Sequence, residues 1–352
     1  MWCLKLIEQI KQCIANSRLL AKLFGLILTL LLIFLLMSKI EPEKIVEVIR
    51  GLNPYMILLG FFIYLGGIFC RASRFKIVLN NRDLRYYDLF TIVAVSNLIN
   101  NILPARTGEL IYIYLSKKRI KVPLKHGIAS LIVVRIFDVI SISILLLLSI
   151  LCLYKKYVLP SQTQILIIML LFLFISISAL IVLCKGKFSV IIAKTATLLK
   201  IHKLNIINKI VEMLYDVERN LINIYSKKIF IQLLLISLIL SSTGSIIYIL
   251  ILSDFMEIGV WEMVFITIFT LVTLILPIQS FAGFGTYEGA WVIASLSLGV
   301  PLDIAILSSF IAHIVGLLYT IGAGIFGIGV IKERKSWGAP LKVDSKLRNK
   351  KK

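Results

Sequence analysis

Apolar stretches of membrane-spanning length follow one another along most of the chain, and polar residues are gathered into a few short breaks. The runs at residues 19–37, 52–70, 127–154, 164–184, 229–252 and 304–330 each approach or exceed the roughly 20 residues that cross about 30 Å of hydrocarbon. Two further apolar segments, 86–116 and 263–300, are broken in the middle. The first contains Asn97-Leu-Ile-Asn100-Asn101-Ile-Leu-Pro104-Ala-Arg106-Thr107-Gly108-Glu109. The second contains Pro277 and then Ser280-Phe-Ala-Gly283-Phe-Gly285-Thr286-Tyr-Glu288-Gly289. An arm of about 15 residues reaches only about 22 Å, short of a crossing. Residues 1–18 put Trp2, Leu6, Ile7, Ile10 and Ile14 opposite Lys5, Glu8 and Lys11, which predicts an interfacial amphipathic helix. Residues 185–228 have the same character and predict cytoplasmic surface helices.

Composition agrees: 59% of residues are hydrophobic and the mean hydropathy is +0.97. Lipid confines the backbone to helices or closed barrels, so the pattern predicts an all-α polytopic membrane protein. The net charge of +21 lies between the apolar runs and not on a soluble face. That excludes a nucleic-acid reading and sets topology through the positive-inside bias. Arg71, Arg74, Lys76, Arg82 and Arg85 precede segment 86–116, and Lys117, Lys118, Arg119, Lys121 and Lys125 follow it. Both clusters belong in the cytoplasm, which predicts a re-entrant hairpin; the alternative is one true span followed by a misplaced basic loop. The loop with Asp254, Glu257 and Glu262 lies outside and the basic tail 332–352 inside, so segment 263–300 is predicted to be a second hairpin. Both termini are then cytoplasmic, in a multi-pass protein of the cytoplasmic membrane.

Membrane half one (19–184) and half two (229–331) match with opposite orientation. Each hairpin has Leu-Pro before its break and Thr-x-Glu after it. This is an inverted-topology repeat, which in transporters points to a binding site near the midplane.

The breaks carry the candidate chemistry. Thr107 and Thr286 are placed to cap the second arms, whose N-termini would suit phosphate. Arg106 either grips that phosphate or neutralises Glu109. Glu109 and Glu288 either hold a cationic headgroup or a coupling proton, or only complement a helix dipole. Arg135 and Asp138, spaced i,i+3, can pair on one face and serve packing or line a path. Asn97, Asn100 and Asn101 can bond broken backbone, with Asn101 also a candidate for the path. Pro104, Gly108, Pro277, Gly283 and Gly285 mark the breaks and tight turns. Arg71 and Arg74 are either lipid-headgroup anchors or ordinary positive-inside residues.

Cys3, Cys13, Cys70, Cys152 and Cys184 have no metal or disulfide spacing. His126, His202 and His313 are too scattered for zinc, and no catalytic constellation or cofactor motif is present.

Four motifs occur in order: Arg71-Ala-Ser-Arg74-Phe-Lys-Ile-Val-Leu, Asn101-Ile-Leu-Pro104-Ala-Arg106-Thr-Gly108-Glu109, Arg135-Ile-Phe-Asp138 and Gly283-Phe-Gly285-Thr-Tyr-Glu288-Gly289. Together they resemble the lysylphosphatidylglycerol synthase transmembrane-region family, which includes the flippase part of the multiple peptide resistance factor. The family's pattern differs at Tyr112, Val134 and Phe281-Ala282. The resemblance implies a lipid translocase acting on a membrane phospholipid, anionic or aminoacylated, with no catalysis expected where the aminoacyl-transfer domain is lacking. The alternatives are a phosphatidylglycerol lysyltransferase-related component and a non-catalytic partner in cell-envelope assembly. A homo-oligomer or an envelope-synthesis enzyme are the protein partners such a chain would have.

Overall fold

The structure, a computed structural model, describes residues 43, 48, 50–80, 84–103, 107–154, 156, 227–253, 255–275 and 281–333. The expected spans at 19–37 and 164–184, the helix at 1–18, almost all of 185–228 and the tail beyond 333 lie outside the described residues. So do Pro104, Arg106 and Pro277.

All regular structure among the described residues is helical: α1 (Pro54–Leu79), α2 (Tyr86–Ile102), α3 (Thr107–Ile120), α4 (Leu124–Leu153), α5 (Lys227–Leu252), α6 (Val260–Ile275), a 3-10 turn (Phe281–Gly283), α7 (Thr286–Ser297) and α8 (Leu302–Glu333). Four of them, α1, α4, α5 and α8, are long and apolar enough to cross a membrane. Two pairs of shorter helices fall at the predicted breaks, α2 with α3 and α6 with α7.

Local sequence sets the ends. Asn53 accepts from the Tyr55 amide at 2.9 Å and Pro54 supplies a preset φ, so α1 starts there. It stops at Asn80, in the left-handed region at φ 46°. It runs nine residues past Cys70, where the apolar run ends, because its basic residues turn toward other helices: Arg74 is only 1% exposed. α2 ends at Ile102, just before the Leu103-Pro104 dipeptide disfavours helix. The α3 arm then doubles back tightly along α2. A Cβ on Gly108 would lie 2.2 Å from the Ser96 carbonyl oxygen, so only glycine permits that approach.

α1 packs on α5, α2 on α8, and α6 on α4. Exchanging α1–α4 for α5–α8 maps these pairs onto one another. One apolar cluster joins the C-terminal parts of α4 and α5 to α6, α7 and the first part of α8. Another joins α1, α2, α3 and the first part of α4. Leu58, Phe62, Leu151, Leu235, Ile239, Leu318 and Ile325 face outward, as a lipid-facing surface requires.

Candidate functional site

Between the two apolar clusters lies a cavity of about 310 Å³. α1, α2, α4, α5, α6 and α8 line it, together with both sides of the second helix break. Arg71, Asn97, Asn100, Asn101, Arg135 and Asp138 form its charged and amide-rich wall. Tyr64, Tyr248, Tyr287, Tyr319, Thr320 and His313 form the opposite, hydroxyl-rich part.

Asp138 is the hub of the charged wall. One oxygen accepts from Arg74 Nη1 and the other from Arg135 Nη1 at 3.0 Å. Arg135 extends the chain to Glu109 through Nη2, at 2.5 Å from Oε1. Arg74 Nη1 also donates to Ser237 Oγ at 2.9 Å. The i,i+3 spacing of Arg135 and Asp138 thus produces a pair on one helix. Sequence periodicity gave no sign that Arg74, on α1, would be its third member. Arg74 is enclosed here and not at a lipid surface.

Arg71 has different company. Its Nη1 donates to Asn97 Oδ1, and Asn97 Nδ2 donates to the Tyr64 hydroxyl at 2.6 Å. The Tyr64 hydroxyl shares a 2.9 Å hydrogen bond with Thr320 Oγ1. Among the described residues no carboxylate pairs with Arg71. The relay ties α1, α2 and α8 together through neutral side chains.

The two glutamates occupy equivalent places, each the third residue of a second arm. Thr286 is the first residue of α7, one step inside the expected cap. Gly285 holds the cap position of α7, and its amide donates to Glu288 Oε2 at 2.6 Å. Glycine has no side chain to return the bond, so Glu288 does the capping alone. Thr286 Oγ1 donates to the Gly283 carbonyl at 2.9 Å. Ala282, Gly283 and Gly285, at φ 51°, 80° and 83°, make the break itself. Thr107 Oγ1 and Asn100 Oδ1 are buried without hydrogen-bond partners among the described residues. Asn101 Nδ2 donates to the Asn97 carbonyl one turn back within α2, at 2.9 Å.

Glu288 is fully buried and its Oε1 lies 2.6 Å from His313 Nδ1. His313 Nε2 sits 3.0 Å from the Ala282 carbonyl oxygen. A carbonyl only accepts, so Nε2 carries a hydrogen. The remaining bond then needs a proton on either His313 Nδ1 or Glu288. Both bonds are satisfied together when one proton is shared between the imidazole and the carboxyl group. Losing it would break one of the two bonds that pin the second break. The sequence reading passed over His313 as a zinc ligand and missed it here. An ionisable residue alone in an apolar span was the available signal. Tyr64, Ser237 and Thr320 carried no such mark.

Among the described residues no cluster of three or more histidine, cysteine, aspartate or glutamate side chains could hold a metal ion.

Residues 22–324 match the family described as "Lysylphosphatidylglycerol synthase TM region". The chain is also similar to Glycosyltransferase AglD of Haloferax volcanii, 31% identical over 123 residues. That match covers 34% of this chain and 19% of AglD.

Proposed function

This chain belongs to the lysylphosphatidylglycerol synthase TM region family, and on that premise we propose that it is a lipid translocase. It would move a phospholipid or lipid-linked headgroup between the leaflets of the cytoplasmic membrane. The observation that carries this reading is the polar cavity enclosed among four helices of membrane-spanning length, with both helix breaks beside it. Buried charge among apolar helices is costly and marks a path for polar cargo.

In this reading α2–α3 and α6–α7 are re-entrant hairpins entering from opposite sides. The interchangeable packing of the two halves supports an inverted repeat, and rocking one half against the other would expose the cavity to each leaflet in turn. Arg135, Asp138 and Glu109 line the route, and Glu288 with His313 governs the second break. The glycosyl transfer in AglD's name is not carried over, since the match spans 19% of that protein.

Reconstitution into vesicles with tail-labelled phospholipids tests the proposal. Purified protein should move label between leaflets faster than empty vesicles do, and Glu109→Gln with Asp138→Asn should slow it. Transport no faster than in empty vesicles, with correctly folded protein, would remove the reading.

A further inference from the structure

The charges around the cavity are unequal in a way that defines its cargo. Arg74 and Arg135 are balanced by Asp138 and Glu109. Glu288 and His313 are bound to each other and to the backbone of the second break. Among the described residues, what remains on the wall is the guanidinium of Arg71, hydrogen-bonded to a neutral amide and to no carboxylate.

The carboxylates are equally informative. Both Asp138 oxygens accept from arginines, Glu109 is held by Arg135, and both Glu288 oxygens are engaged. Among the described residues every carboxylate at the site thus already has an arginine, histidine or backbone amide as partner, which leaves an ammonium group in competition with them. Rings that line the cavity pack on one another or on neighbouring rings. Tyr287 stacks on His313 at 4.6 Å, and Tyr319 packs against Phe61 at 5.6 Å and Tyr64 at 5.8 Å.

Beside Arg71 lie groups suited to hydroxyls. Asn100 lines the cavity and its Oδ1 is a buried acceptor without a partner among the described residues, while Asn101, Ser241 and Thr243 share the wall. The volume of about 310 Å³ sits at the low end of the roughly 300–1,000 Å³ usual for small-molecule pockets, which favours a compact headgroup.

We infer that the cavity selects a lipid headgroup with one net negative charge, its phosphate on Arg71 and its remainder small, neutral and hydroxylated. A cationic aminoacylated headgroup is disfavoured. This rests on the translocase reading for transport, but headgroup binding is separable from it.

The test uses full-length protein in two formats. In detergent, heat stabilisation is measured with phosphatidylglycerol, phosphatidylcholine and lysyl-phosphatidylglycerol. In vesicles, movement of the same three lipids is followed by tail label. Phosphatidylglycerol should stabilise at the lowest concentration and move fastest. Losing a charge-assisted bond should lower its apparent affinity about tenfold or more in Arg71→Gln. Arg71→Lys, which keeps the charge without the fork, should restore part of it. Equal or stronger stabilisation by either other lipid would overturn the inference. So would an Arg71→Gln protein that still prefers phosphatidylglycerol. Selective stabilisation without movement of any lipid would support the inference and refute transport instead.

Discussion

The Glu288–His313 pair offers the sharpest test of how the second break is held. Glu288 is fully buried and His313 is 7% exposed, and their shared hydrogen bond is 2.6 Å long. Replacing His313 by alanine leaves a buried carboxyl group with only the Gly285 amide as partner. Breaking a buried pair from one side costs about 3–5 kcal/mol. An ordinary hydrogen bond is worth about 1 kcal/mol net. Glu288→Gln should behave differently. Its amide can donate to His313 Nδ1 and its carbonyl can accept from Gly285, so both bonds survive and the cost should stay within about 1 kcal/mol. The double variant Glu288→Leu, His313→Leu should recover much of the single-variant loss, since no charge or polar partner is stranded. Unfolding of the purified protein in mixed micelles, titrated with denaturing detergent, gives the four free energies. Equal costs for His313→Ala and Glu288→Gln, or both below about 0.5 kcal/mol, would refute the buried proton-sharing pair.

Other expectations follow from the same geometry. Gly108→Ala should destabilise by about 1–3 kcal/mol, because its Cβ would meet the Ser96 carbonyl at 2.2 Å; a stabilised variant would contradict the close approach of α3 to α2. Asp138→Leu should cost more in the same titration than Arg74→Leu with Asp138→Leu together, since the single change strands a guanidinium that is 1% exposed; a more costly double variant would contradict that pairing. In a background without native cysteines, Arg85→Cys and Lys121→Cys should both label from the cytoplasmic side, and Gly259→Cys and Gly299→Cys both from outside. Opposite-side labelling within either pair would refute the hairpins.

The sequence disclosed the long helices and the places where helices break, because hydropathy and Leu-Pro followed by Thr-x-Glu are local signals. Pairing of Arg135 with Asp138 was legible for the same reason, as both lie on one turn of α4. The wider site was not. Arg74 reaches Asp138 across 64 positions and Tyr64 reaches Thr320 across 256, so neither contact leaves a periodic trace. Arg71 and Arg74 read as topological charges because they follow an apolar run. The continuation of α1 to Leu79 turns one toward the cavity and encloses the other. The cap of α7 is displaced by one residue, since glycine at 285 takes a φ that threonine resists.

The packing of α2 against α8 has a consequence for how the protein is made. Gly324 lies against Leu98 and Gly327 against Val95, so the last helix supplies the wall that the first hairpin leans on. Ribosomes add about 5–20 residues per second, so at least on the order of ten seconds separates α2 from α8 during synthesis. For that interval Asn97 and its neighbours lack the wall against which they pack. Assembly of the amino-terminal half therefore waits on the carboxy-terminal end, and the halves mature together as one unit.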